Sequence, residues 1–188
     1  VNDKYKIADL LSSIGIKYIE AGNPGSNPKD RDFFRGFKEN CKLKSCSTLA
    51  AFGSTRRKGV KPEEDSGIAD LLAADTQTIV MFGKVWEVEV RDILRCSKEE
   101  NKNMLSDSTA YFKSLGKEVI FDAEHFFEAY YSNKEYALEC LEAVRLAGAS
   151  TVVLCDTNGA IMPDKVTECV EDVVSKINCK IGIHCHND

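Results

Sequence analysis

One unit recurs along the chain and limits what it can fold into: a short β-rich apolar run, a loop of Gly, Asn, Asp or Ser, and then a helical pattern. The runs are Lys17 to Ala21, Ser47 to Phe52, Thr78 to Phe82, Glu118 to Asp122, Thr151 to Cys155 and Lys180 to His184. Their spacing is that of a strand, a crossover helix and two loops. Between them, Pro28 to Lys38, Glu63 to Ala73, Lys98 to Leu115, Lys134 to Leu146 and Pro163 to Ile177 repeat apolar residues every three to four positions, as amphipathic helices do. Gly116 and Gly148 fall just past two of these helices, where a left-handed cap favours glycine. Pro28, Pro62 and Pro163 fall at helix starts, where the missing N–H costs nothing. The pattern predicts an α/β fold around a parallel sheet buried on both faces.

Two architectures satisfy that pattern, an open doubly wound sheet and a TIM (β/α)8 barrel. Every predicted strand ends in polar or glycine chemistry: GNPGSN, FGSTRR, FGK, FDAEH, CDTNG and HCHND. In a barrel all C-terminal strand ends converge on one mouth, whereas an open sheet concentrates ligand contacts at one switch point. Six polar ends favour the barrel, with the open six-stranded domain as the alternative. The chain starts on a helix, Asp3 to Ser13, and stops at Asp188 just after a strand. The expectation is therefore a truncated barrel of about six strands over residues 1–188, running from the first helix to the seventh strand, with the first and last strands missing.

Composition excludes several classes. Of 188 residues 43% are hydrophobic and 29% charged, which is enough apolar surface to outweigh the ordering entropy of a folded chain. The net charge is −5 with charges interspersed, so no clustered basic face is present for nucleic acid. The longest apolar runs fall far short of the roughly 20 residues that cross a bilayer, and Val1 to Leu11 is no secretory signal. Eight cysteines occur without a CxxC pair, in a chain too large to need disulfide staples, which predicts reduced thiols and a cytoplasmic protein. Walker, GxGxxG and GxSxG motifs are absent. The expected partner is a small molecule.

His184 and His186 are the sharpest chemical feature. Two residues apart on a strand they point to one face, and both imidazoles can serve one divalent ion. They are two of only three histidines in the chain; chance alternation of two ordinary histidines is the bland reading, and Cys185 between them points the other way. Asp122 and Glu124 share a face at the end of another strand, beside His125, and offer acid–base chemistry. Asp156, Thr157 and Asn158 form a polar turn that suits a substrate carboxylate or a helix cap equally well. Ser54 to Arg57 and Lys84 are further candidates for an anion, and Trp86 reads as a packing anchor.

Taken in order, GNPGSNPKD, FGSTRR, FGK, EVIFDAEHFF, LCDTNGA and GIHCHND resemble the citramalate synthase branch of the isopropylmalate and homocitrate synthase family over essentially the whole chain. The resemblance implies a metal-dependent TIM-barrel acyltransferase of amino-acid biosynthesis that condenses acetyl-CoA with a 2-keto acid, pyruvate being favoured, and is homodimeric when complete. It implies Mg, Mn or Zn as the divalent ion, His184 and His186 as metal ligands, Glu124 as the active-site glutamate and Thr157 as the residue holding the keto-acid carboxylate. The family's opening Arg-Asp motif has no counterpart in these residues, nor has the Asn ligand after the last strand, so the 188 residues alone are expected to be inactive. Asn23 stands where this branch more often shows Trp, and Ala160 where it more often shows Gly. A noncatalytic α/β binding fragment and another metal-dependent aldolase or lyase of the same superfamily remain as alternatives.

Overall fold

The structure is a computed structural model and describes residues 1–187; Asp188, the last residue of the HCHND motif, lies outside the described residues. Its sheet contains six strands in the order of the chain: β1 (Tyr18–Glu20), β2 (Thr48–Ser54), β3 (Thr78–Lys84), β4 (Glu118–Glu124), β5 (Thr151–Asp156) and β6 (Lys180–Cys185). Every neighbouring pair is parallel. A doubly wound sheet must reverse its strand order somewhere, and this one never does. The fold is thus α/β, six consecutive strands and their helices from a TIM-type barrel.

The helices form where caps and periodicity allow. Among them α1 (Asn2–Ser13) precedes β1, and α2 (Pro28–Asn40) begins on proline behind the Asn27 cap. After β2, a 3-10 turn (Pro62–Glu64) leads to α3 (Ser66–Ala73), capped by Asp65. Beyond β3, α4 (Glu87–Glu89) runs into a π-turn (Val90–Leu94) and then α5 (Lys98–Ser114). Two helices, α6 (Phe126–Ser132) and α7 (Lys134–Leu146), follow β4, and α8 (Pro163–Lys176) follows β5. The glycines at 116 and 148 adopt positive φ, as their cap positions predict.

Strand alternation separates two cores. Ile79, Met81, Val119, Phe121, Val152 and Leu154 face the helices and join the main cluster, which includes the fully buried Phe33, Phe112, Phe126 and Phe127. Ala50, Val80 and Ile120 face the other way and form a second cluster with Tyr18, Phe52 and Val153. That inner face fills the barrel interior below the strand ends. Gly83 in β3 permits close layer packing, because an added Cβ would lie 2.4 Å from Leu105 Cδ2 and 2.9 Å from Phe121 Cε2.

Candidate active site

The inner face carries the chemistry at the C-terminal strand ends. Phe52 and Phe82, stacked with centroids 5.0 Å apart, make an apolar wall. Across from them a cavity of about 230 Å³ is lined also by Asp122 and Glu124 of β4, Cys155 and Thr157 at the end of β5, and His184 of β6 with His186 just past it. The structure therefore brings Glu124, Thr157, His184 and His186 around one space. A larger depression, about 900 Å³, lies outside the barrel between α5 and α7, away from every strand end.

The two imidazoles lie with centroids 4.9 Å apart and planes 20° from parallel, so both rings sit on the same side of the strand. The His186 amide donates to the Asp156 carbonyl at 3.2 Å, fixing the chain just past β6 to the end of β5. Ligand atoms of Asp122, Cys155 and His184 lie within 4.8 Å of one another. Imidazole, carboxylate and thiol gathered at that separation fit a first-row divalent ion. Burial pushes Asp122 up to about 6. Burial, reinforced by the charge of Asp122 and opposed by His184, pushes Glu20 up to about 7, although its open side is exposed and solvent screens that crowding. Burial, with Asp122 and Glu124 nearby, also raises the Cys155 thiol.

Thr157 is held by the residue after Glu124: the His125 amide donates to Thr157 Oγ1 at 2.9 Å. His125 itself has φ +53, a left-handed conformation unusual for a residue with a Cβ. Asp156 is buried and accepts from the Ala160 and Ile161 amides, so it shapes the turn.

Lys84 is not offered to a mobile anion as the sequence suggested, because its ammonium sits between Glu89, 2.8 Å away, and Glu124, 2.7 Å away. The FGSTRR arginines are spent likewise. Arg56 is buried against Glu100 and Asp107, and Arg57 binds Asp65. Sequence reasoning left Glu20, Glu89 and the inward position of Cys155 unassigned; strict alternation from Ala50 and Val80 across the register would have marked Glu20 and Cys155. Trp86 packs against the core as expected, with its Nε1 unpaired among the described residues.

Fold and site define a class: a TIM-type barrel segment with a histidine-bearing, carboxylate-lined mouth. The HMGL-like family model matches residues 1–188, and the chain belongs to that family. It is 46% identical to the (R)-citramalate synthase of Sulfolobus acidocaldarius over 188 residues, all of this chain and 36% of that protein. Against the (R)-citramalate synthase of Geobacter sulfurreducens it is 47% identical, covering 35% of that protein. The chain thus spans about a third of the length of these relatives. Among solved structures, the Bacillus subtilis HMG-CoA lyase aligns with a TM-score of 0.76 at 21% identity, over 98% of this chain and 61% of that one, a likeness of fold.

Proposed function

We propose that residues 1–188 are part of the catalytic barrel of an acyltransferase that condenses acetyl-CoA with a 2-keto acid, pyruvate being favoured, to give a 2-hydroxy diacid such as citramalate. The observation that carries this reading is the convergence of His184, His186, Glu124 and Thr157 on one cavity. The names of the relatives support the substrate class.

His184 and His186 would hold a divalent ion, Mg²⁺, Mn²⁺ or Zn²⁺, each through one neutral ring nitrogen. When bound, such an ion supplies the Lewis acidity that makes the keto carbon electrophilic. Thr157, whose oxygen already accepts from the His125 amide, donates its hydroxyl proton to the substrate carboxylate. Glu124 serves the acid–base network that takes a proton from the acetyl methyl group of acetyl-CoA. Phe52 and Phe82 keep water from the face where the new carbon–carbon bond forms. Hydrolysis of the thioester then releases CoA and the diacid.

The complete protein is read as a cytoplasmic homodimer, and the 188 residues alone as inactive. No helix among the described residues is long and apolar enough to cross a membrane. The test is CoA release by the full-length protein with acetyl-CoA and a panel of 2-keto acids. Release with pyruvate is expected; no release with any keto acid overturns the reading in favour of a binding fragment or an aldolase or lyase.

A further inference from the structure

A second polar cluster lies behind the cavity wall, where β3 and β4 end side by side. Lys84 and Glu124 are register partners and the last residues of their strands. Lys84 Nζ donates to Glu89 Oε1 at 2.8 Å and lies 2.7 Å from Glu124 Oε2, an ion contact without hydrogen-bond alignment. The backbone beneath is fixed as well: Asn101, 1% exposed, donates from Nδ2 to the Lys84 carbonyl at 2.8 Å and to the Tyr136 hydroxyl at 2.9 Å.

Neutralising one lysine takes one carboxylate, and Glu124 already supplies it. Glu89 is nonetheless 6% exposed, with Oε2 lacking any hydrogen-bond partner among the described residues. Burying a second carboxylate is unfavourable unless it is paired. The geometry explains its place: Glu89 does not line the cavity, and its bond to the ammonium holds the long lysine side chain outside the mouth. Burial alone would lower the Lys84 ammonium, and the two carboxylates more than reverse this. His125 stands at the far side, with Nε2 3.7 Å from Glu89 Oε1 and Nδ1 3.6 Å from Glu128 Oε1. The three groups Glu89, Glu124 and His125 also lie close enough to suit an ion, yet the lysine ammonium already occupies that role.

We propose that Lys84, buttressed by Glu89, is a positioning residue that holds the Glu124 carboxylate at the cavity wall and keeps it there through the acid–base steps. This rests on the reading of Glu124 as part of the acid–base network. Lys84 does not line the cavity and acts only through Glu124.

Two measurements test it. In the full-length protein, Lys84→Met is expected to lower kcat for CoA release about tenfold or more while the keto-acid KM changes less than about threefold, with Lys84→Arg restoring most of the loss. Glu89→Gln should fall between. In a Glu124→Gln background Lys84→Met should cost less than about twofold, because a residue acting through Glu124 has nothing left to position. An equal loss in both backgrounds, or a loss confined to KM, overturns the proposal. The second measurement needs no activity: ¹⁵N NMR of the 188-residue chain should show a slowly exchanging Lys84 ammonium that disappears in Glu89→Gln and in Glu124→Gln. A Lys84 signal indistinguishable from those of exposed lysines refutes the clamp itself. Absence of CoA release from the unsubstituted protein, with the NMR signal present, defeats the synthase reading and leaves the clamp standing.

Discussion

The backbone amide of His125 donates to the hydroxyl of Thr157 over 2.9 Å, tying the end of β4 to the turn after β5. One oxygen thereby serves two purposes, fixing a strained backbone and presenting a donor to the cavity. Thr157→Val keeps the shape and removes both functions; Thr157→Ser keeps both. The valine variant is expected to lose about 1–3 kcal/mol of stability for the orphaned amide, measured by urea unfolding, and the full-length variant to show a raised keto-acid KM. Unchanged stability in the valine variant would show that solvent satisfies the His125 amide.

Asp65 caps α3 from a buried position, accepting from the Gly67 and Ile68 amides and from the Arg57 amide and guanidinium. Burial pushes its carboxyl up, but those bonds, led by the Arg57 amide, outweigh it and hold the group below the usual carboxylate range. A carboxyl depressed by folding stabilises the fold above its unfolded value, near about 4, and that stabilisation is lost as the pH falls through the folded value. Asp65→Asn keeps a capping side chain and removes the charge. It is expected to be less stable than the parent by about 1–3 kcal/mol at pH 7, with the gap closing below about pH 4. Thermal unfolding across that range checks this; a gap constant with pH would exclude the charge as its source.

Gly83 lies where β3 passes Leu105 and Phe121, both fully buried. Gly83→Ala forces a methyl into that contact and is expected to cost about 1–3 kcal/mol as overpacking. Its denaturation midpoint should fall with an unchanged slope, and an unchanged midpoint would mean that the Leu105 side chain yields freely.

Much of this arrangement was legible because its signals are local. The α7 bounds follow from helical periodicity and the Gly148 cap, and the shared face of His184 and His186 follows from strand alternation. Other parts were not. The segment EVEVRDIL alternates like a strand, yet it forms α4 and a π-turn because β3 has already ended and Val90 must enter the helix-side core. FFEAYYS, outside every helix predicted from periodicity, is the short helix α6 with Phe126 and Phe127 buried. Arg56 reads as an anion donor until folding brings up Glu100 and Asp107, 44 and 51 residues away. Lys84 reads as one for the same reason, since Glu89 approaches only when α4 folds back over the strand end.

The account as a whole depends on His184 and His186 acting together on one ion. Calorimetric titration of the 188-residue chain with Mn²⁺ or Zn²⁺ tests this most directly, with His184→Ala and His186→Ala beside it. Micromolar binding that either substitution abolishes, with the fold unchanged by circular dichroism, is the expected result. Binding of equal strength in both variants would place the ion elsewhere and contradict the account.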